Sequence, residues 1–212
     1  SYKSIRSAND FLVSIDSLAK RSSGFNMLLQ NSPIYLSVHQ VGKEDLGALA
    51  AATLPIELSK SDLVELIKSL TVGSYLVDEV GYAGADFYHV TNGDSINNKE
   101  FFIGYQKGIV VCSNSLLIAQ ASIRQLNEGI SLQDNASFKA IAKTMGSRVD
   151  ANIFINTKKF PKTFGFLASS DYKKAFGSQS DIANWIELDL FLKNDAVLLN
   201  GFAQAPDSLN AF

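Results

Sequence analysis

The chain has 212 residues, 46% of them hydrophobic and 19% charged, which is the composition of a folded globular protein and excludes intrinsic disorder. Nineteen Lys and Arg residues against 21 Asp and Glu residues give a net charge of −2, and no basic stretch is present to track phosphates, so nucleic acid is not expected as a partner. No apolar run approaches the roughly 20 residues that span a bilayer, so no transmembrane segment is expected either.

The amino-terminal segment, residues 1–31, is predicted to be helical. Apolar residues at 9–20 recur every three or four positions, which is the period of one helix face. A second short helical stretch follows residues 21–24 and ends before Pro33, because the residue before a proline disfavours helix.

The next part of the chain is predicted to form antiparallel strands with one helix between them. Runs rich in β-branched and aromatic residues, each bounded by turn residues, are typical of strands. Ser59 or Ser61 can cap the helix, and Gly73 follows it. The strands are expected at 34–41, 46–54, 74–80, 85–91, 101–106 and 109–113.

Helices are then predicted to cover this sheet. Ser115 opens one helix that ends at Gly129, and Asp134 or Asn135 caps a second. A strand is expected after them, followed by short irregular or helical pieces and a long hairpin. These elements are placed at 151–156, 160–168, 172–176, 185–193 and 196–204.

The first strand of that hairpin has an unusual alternation. Trp185, Glu187, Asp189 and Phe191 share one face, while the other face carries only aliphatic side chains. The aliphatic set is predicted to be the buried face. It comprises Ile186, Leu188, Leu190 and Leu192.

The order of these elements indicates the fold class. Strand runs and helix runs are segregated along the chain and do not alternate strictly. The predicted class is therefore α+β, with a mainly antiparallel sheet, helices packed on one face and a helical amino terminus. Residues 1–212 are expected to form a single domain, in which residues 32–212 supply the sheet and its covering helices.

Cys112 is the first candidate for chemistry. It ends a predicted strand just before the helix opened by Ser115, and a thiol at a helix amino terminus has a lowered pKa and can be nucleophilic. The flanking glycines of a nucleophile elbow are absent. The favoured interpretation is therefore structural, with Cys112 ending a buried strand and a neighbouring polar residue capping the helix.

Metal and cofactor signals are weak. His39 and His89 lie inside predicted strands without the spacing of zinc ligands, and a structural or surface role is favoured for both. The loop at 92–100 offers oxygen ligands but lacks the rhythm of a calcium loop, so a solvated connection is favoured. No nucleotide-binding motif is present, and neither metal nor cofactor is predicted.

Two further groups of residues are candidates for a site. Glu187 and Asp189 lie about 7 Å apart on one strand face, which is compatible with acid–base pairing, although solvent-facing alternation explains them equally well. Aromatic side chains in the strands are more often core residues than ligand contacts. The weak candidates for lining a pocket are Tyr82, Tyr88, Phe102 and Tyr105.

Several segments together resemble an uncharacterised family of Bacteroidetes envelope proteins, and the likeness covers most of the chain. They are FFIGYQKGIVVCSNS at 101–115, IRQLN at 123–127, SLQDNASF at 131–138 and WIELD at 185–189. Members resemble exported or membrane-anchored proteins in which such a domain precedes a region similar to a β-propeller. The resemblance implies a periplasmic or membrane-anchored location, with the remainder of a longer chain or other envelope proteins as partners.

The ends of the chain and three short triplets agree with that location. The chain opens at Ser1 without methionine and closes at Phe212, which favours a fragment lacking a targeting segment and downstream sequence. Asp-Ser-aliphatic triplets at Ser17, Ser95 and Ser208 are similar to the O-glycosylation acceptor of those bacteria.

The function favoured by the sequence is a non-catalytic interaction or scaffold domain of an extracytoplasmic protein. One alternative is a binding module for an apolar or glycan ligand, which requires an aromatic-lined cavity of at least about 300 Å³. A hydrolase using Cys112 or the Glu187 and Asp189 pair ranks last, and no enzymatic activity is predicted.

Overall fold

The structure, a computed structural model, describes six stretches of the chain and a few residues near its start. The stretches are 32–43, 45–54, 59–69, 75–92, 100–165 and 183–205, and the isolated residues are Asp10, Phe11, Val13, Lys20, Asn26 and Gln30. Contacts divide the chain into two compact units, Ser1–Gly129 and Ile130–Phe212, each with its own sheet. That residues 1–212 form one domain stays a prediction.

The first unit is built on a six-stranded antiparallel sheet with the strand order β1-β2-β6-β5-β4-β3. The strands are β1 (Ile34–Val41), β2 (Asp45–Thr53), β3 (Leu76–Glu79), β4 (Asp86–Thr91), β5 (Glu100–Gln106) and β6 (Ile109–Ser113). Left-handed Lys107 and Gly108 turn β5 tightly into β6. The predicted strands are confirmed, with ends that differ by at most two residues.

Helices lie on both faces of this sheet. They are α1 (Lys60–Ser69) and α2 (Leu116–Glu128). Leu63 and Ile67 of α1 pack with Phe11 in a cluster on one face, whereas Ala119 and Ile123 of α2 pack in a cluster on the other. The prediction that helices cover one face is wrong here. The strands are apolar at both odd and even positions, so both faces require cover.

The ends of the helices follow their capping residues. Ser59 Oγ accepts from the Asp62 N–H at 3.2 Å, and Asp62 Oδ2 accepts from the Ser59 N–H at 2.7 Å, which closes a capping box before α1. Left-handed Gly129, with a φ of 71°, ends α2. Of the two predicted caps of α1, the structure therefore uses Ser59.

Two glycines let α2 approach the sheet closely. A Cβ atom on Gly47 of β2 would overlap Ile118 Cδ1, and one on Gly104 of β5 would lie 2.9 Å from Ile123 Cδ1. Both distances are too short for carbon atoms, so a larger residue at either position would force the isoleucine side chain of α2 to shift. The close approach fixes α2 beside the open part of the sheet surface.

The second unit contains a three-stranded antiparallel sheet in the order β7-β8-β9. Its elements are α3 (Ala136–Ile141), β7 (Ala151–Asn156), α4 (Phe160–Phe164), β8 (Trp185–Leu192) and β9 (Val197–Gln204). Asn135 Oδ1 caps α3 by accepting from the Phe138 N–H at 2.9 Å. The strand and the hairpin are confirmed, and the α+β class with mainly antiparallel sheets is shown. The helical piece predicted at 172–176 lies outside the described residues.

The more buried face of β8 is the one that carries Trp185 and Glu187, whereas Ile186, Leu188 and Leu190 of the predicted face are half-buried. Glu187 is fully buried and Trp185 is 9% exposed, while Leu192 on the aliphatic face is 60% exposed. The reason lies in α3, because Phe138 packs its ring against Trp185 and Phe154 with centroid distances of 5.1 Å. This aromatic packing selects the face that carries Trp185, and Glu187 lies on that face.

Candidate functional site

An open cleft of about 940 Å³ lies on the side of the six-stranded sheet that α2 covers in part. Phe87 and His89 of β4 and Phe102 of β5 line the sheet side of the cleft, and Ser115 and Leu116 at the start of α2 line the other. The hairpin between β1 and β2 and the turn between β3 and β4 complete its rim. The volume falls within the range of about 300 to 1,000 Å³ that is usual for small-molecule sites.

Stacked rings form an apolar surface inside the cleft. His89 lies opposite Phe102 in the strand register, and the two rings stack with a centroid distance of 4.7 Å and an interplanar angle of 8°. Phe87 also stacks with Phe102, at 6.2 Å, and Tyr82 packs against Phe87 at 5.9 Å. Cross-strand pairing thus aligns four rings that are separate in sequence.

Tyr82 is held at one end of the cleft by α2. Arg124 Nη1 donates to the Tyr82 hydroxyl, and Asn127 Nδ2 donates to the Ala83 carbonyl oxygen at 2.9 Å. Ala83 has a φ of 52°, a left-handed conformation that costs about 1 to 2 kcal/mol for a residue other than glycine. The contacts from α2 offset that cost, so the turn presents Tyr82 in a fixed position.

The opposite end of the cleft is polar. Glu100 lies two residues before Phe102 on the same face of β5, and its Oε2 is 3.0 Å from His89 Nε2. Asp45 also lines the cleft. Asn114 accepts from the Ala48 N–H at 2.8 Å, which ties the segment before α2 to β2. The cleft therefore combines an aromatic end with an acidic end.

The four aromatic candidates from the sequence divide between the two faces of the sheet. Tyr82 and Phe102 line the cleft. Tyr88 is buried in the cluster on the α1 face, and Tyr105 packs against that cluster. Their positions in the strands account for this division, because Tyr88 and Tyr105 occupy the alternate positions that point away from α2.

Glu100 and its pairing with His89 are the parts of the cleft that the sequence did not reveal. In the sequence, His89 and Phe87 share one face of β4, and Glu100 and Phe102 share one face of β5. This pattern reveals the pairing only when the register between the two strands is known. His39 lies elsewhere, on the edge strand β1, where its Nε2 is 2.8 Å from Ser37 Oγ.

Cys112 lies on the α1 face of the sheet, away from the cleft. It packs against the cluster on that face, and burial raises the pKa of its thiol to about 12. The thiol therefore stays protonated at neutral pH. The next residue, Ser113, is fully buried and donates its hydroxyl to the Ala48 carbonyl oxygen at 2.7 Å. Both side chains stabilise the junction between β6 and α2.

In the second unit the buried Glu187 and the half-buried Asp189 lie on the same face of β8. Glu187 Oε2 accepts from Thr144 Oγ1 at 3.3 Å, and Asp189 Oδ1 accepts from the Gly146 N–H at 2.9 Å and from Asn152 Nδ2 at 2.7 Å. Burial raises the pKa of Glu187, and hydrogen bonding with Asp189 and the charge of Asp189 raise it further.

The surroundings of this pair differ from both sequence interpretations. Glu187 has no exposed surface, so the solvent-facing interpretation is wrong for this residue. Among the described residues, its Oε1 is buried and has no hydrogen-bond partner of normal geometry. The Glu187 carboxyl group has no access to a substrate in this position, so it fits a role within the core of the second unit.

Other predicted features lie outside the described residues or have no counterpart within them. Residues 93–99 of the polar loop and the candidate acceptors Ser17, Ser95 and Ser208 lie outside the described residues. Within the described part of the chain, no three His, Cys, Asp or Glu side chains converge as metal ligands do. None of the described helices has the length and apolar character required to cross a membrane.

Comparisons with known proteins identify no relative. No protein-family model, curated protein or solved structure shows a significant match to this chain. Its function is therefore inferred from the geometry and chemistry of the cleft.

Proposed function

We propose that the first unit is a non-catalytic binding module whose cleft takes a small ligand with an apolar ring. The observation that carries this proposal is the cleft of about 940 Å³ with the stacked rings of Phe87, His89 and Phe102 on its sheet side. Phe87 and Phe102 are themselves buried with α2, with 1% and 7% of their surface exposed. The rings that a ligand can reach in the cleft are therefore the partly exposed His89 and Tyr82.

Binding without chemistry fits the polar groups near the cleft. His89 is engaged with Glu100, and Ser113 donates its hydroxyl to a backbone carbonyl. A nucleophile paired with a base is the minimum for hydrolysis by covalent catalysis. Cys112 faces the other side of the sheet with a raised pKa, so it does not supply that nucleophile.

Filling the cleft should abolish binding of a ring compound. We expect indole to bind with a Kd of about 1 mM or tighter, and Gln120→Trp to abolish this binding, because Gln120 lines the cleft on α2. Titration followed by amide chemical shifts measures both results, and resonances of His89, Phe102 and Ser115 should move.

The matched control is Ala121→Trp, which adds the same side chain at the next residue of α2, where the surface is exposed. This variant should bind indole as the wild type does. A parallel titration with methyl glucoside separates an apolar ligand from a glycan. If indole moves no cleft resonance at about 10 mM, or moves them equally in Gln120→Trp, the proposed cleft function is wrong.

A second candidate function is protein interaction through β1. This edge strand carries no Lys, Arg, Asp or Glu, and Tyr35, Leu36 and Val38 are 66%, 59% and 44% exposed. Long, apolar edge strands without charges are ready to pair with another chain. The partner would be the remainder of a longer chain or another envelope protein, in keeping with the resemblance described above.

Hydrogen exchange tests this second function. In the full-length protein the β1 amides should exchange at least about tenfold more slowly than in residues 1–212 alone, because a partner strand would bond them. The β3 amides at the other edge serve as the internal control. Equal exchange of β1 in both samples, together with unchanged exchange on addition of envelope extract, would remove β1 as an interaction surface.

The location that we propose is the periplasm, or the outside of a membrane to which the protein is anchored. The resemblance to Bacteroidetes envelope proteins and the triplets at Ser17, Ser95 and Ser208 support this location. A glycan at any of the three serines in protein from its native host would add direct support.

A further inference from the structure

One face of the three-stranded sheet in the second unit carries only aliphatic residues and glycine. The register places the odd-numbered residues of β7 and β9 and the even-numbered residues of β8 on this face, and every one of them is Ala, Gly, Val, Ile or Leu. We call it the aliphatic sheet face. None of its residues is buried, and no core cluster among the described residues includes any of them.

The aliphatic sheet face is most open along β9 and the adjoining end of β8. Leu192, Val197 and Leu199 are 60%, 62% and 54% exposed. The other face of the same sheet is covered by α3, where Phe138 packs against Trp185. Contact of aliphatic surface with water costs about 25 cal/mol per Å². A continuous apolar surface of this kind is typical of a site that a partner covers.

The charge pattern of this face suits a second copy of the same chain. Two identical surfaces that meet about a two-fold axis bring equal charges together, so charged residues near the axis oppose association. The aliphatic sheet face contains no Lys, Arg, Asp or Glu. The acidic residues of these strands, Glu187 and Asp189, lie on the other face.

The residues of β9 on this face also have sizes that complement each other. Val197 and Leu199 in the first half of the strand are large, whereas Gly201 and Ala203 in the second half are small. A two-fold axis perpendicular to the strands, level with Asn200, would place the large half of each β9 over the small half of the other. Each copy would thereby fill the shallow part of its partner.

The area of the face is sufficient for a weak dimer. With strands of eight residues in β8 and β9, the three strands extend over about 26 Å along the chain direction and about 14 Å across it. With the side chains that project from its edges, two copies would bury roughly 1,000 Å² of accessible surface in total. That value is the lower limit for a specific protein interface.

We propose that the aliphatic sheet face packs against the same face of a second copy of this chain. The two three-stranded sheets then form the layers of a β-sandwich, about 10 Å apart and with strand directions within about 30° of each other. This dimer goes beyond the proposed function of the first unit, because it involves the second unit alone and does not depend on the cleft.

Sedimentation velocity of residues 1–212 tests the dimer. The mass should rise from that of one chain at about 1 µM to that of two chains at about 500 µM, with a Kd of roughly 10 to 100 µM, as expected for an interface of minimal area. A chain that stays monomeric up to about 500 µM would overturn the proposal.

Leu199→Lys assigns the dimer to this face. The variant places an ammonium group from each copy in the apolar interface, so the Kd should rise at least about tenfold. Leu198→Lys is the matched control, because Leu198 is the preceding residue of β9, is 51% exposed and lies on the other face. This control should dimerise as the wild type does. Trp185 fluorescence during urea unfolding checks that both variants fold, and Val197→Lys replaces Leu199→Lys if the latter does not.

The remaining outcomes identify a different interface or a different occupant. If Leu198→Lys and Leu199→Lys weaken the dimer equally, or if neither does, the assignment to the aliphatic sheet face is wrong. Loss of the dimer in Leu36→Lys alone would place the interface at β1. If residues 1–212 dimerise but the full-length protein is monomeric, the remainder of the chain covers the face and the second copy is the wrong occupant.

Discussion

Replacing Gly201 with alanine is expected to destabilise the second unit by about 3 kcal/mol or more, the upper range for overpacking. Gly201 pairs with Leu188 in the β8–β9 ladder. An alanine Cβ would overlap the Glu187 carbonyl oxygen and lie 2.8 Å from Leu188 Cα. These are backbone atoms of the neighbouring strand, so they cannot move aside as a side chain does, and the two strands would have to separate.

Trp185 makes this effect measurable in the second unit alone. It is the only tryptophan of the chain and lies in the core of that unit, so its fluorescence during urea unfolding reports the unit directly. Gly165→Ala is the matched control, because a Cβ there meets no atom within 4 Å and the φ of −60° suits alanine. A midpoint for Gly201→Ala equal to that of the wild type would contradict the close approach of the strands.

Replacing Glu187 with glutamine is expected to stabilise the second unit at pH 7. The pKa of Glu187 is raised in the folded protein above its ordinary value of 4.5. Its contribution to stability is therefore fully present below that value and is lost as the pH rises toward the folded-state pKa. Glutamine resembles the protonated form and does not ionise. The gain should be about 1 to 3 kcal/mol, the cost of a buried polar group without its partners.

The pH dependence of the stability difference tests the direction of this effect. Urea unfolding followed by Trp185 fluorescence should show little difference between the wild type and Glu187→Gln at pH 4, and a growing advantage of the variant as the pH rises. Asp189→Ala should have the opposite effect, with a loss of about 1 to 3 kcal/mol, because the Gly146 N–H and Asn152 lose their acceptor. A Glu187→Gln variant that is less stable than the wild type at pH 7 would contradict the raised pKa of Glu187.

Much of the local structure could be predicted because its signals are local. The bounds of β1, β6 and β7 agree with the sequence prediction to the residue, since turn residues flank each strand. The cap at Asn135 and the helix end at Gly129 follow from the same kind of signal. Each of these features depends on residues that are close in sequence.

Features that depend on distant residues could not be predicted in this way. The aliphatic face of β8 looked buried, but Phe138 of α3 packs on the face of Trp185 and thereby buries Glu187. The two helices that cover opposite faces of the first sheet were predicted to lie on one face. In both cases the sequence shows which residues are apolar, while the partner that covers them is set by tertiary packing.

The cleft also contains features that could be predicted from the sequence and features that could not. Tyr82 and Phe102 were recognised as aromatic side chains that could line a pocket, and the structure places both there. The hydrogen bond between His89 and Glu100 depends on the register of β4 and β5, and the sequence of either strand alone does not show that register.

The glycines beneath α2 provide a route to remodelling the cavity. Neither Gly47 nor Gly104 is among the residues that line it, yet each lies directly beneath an isoleucine of the helix. A methyl group at either position would first displace the Cδ1 atom of Ile118 or Ile123. Natural variation or protein engineering could thus alter the packing beneath the opening while every residue that lines it stayed the same.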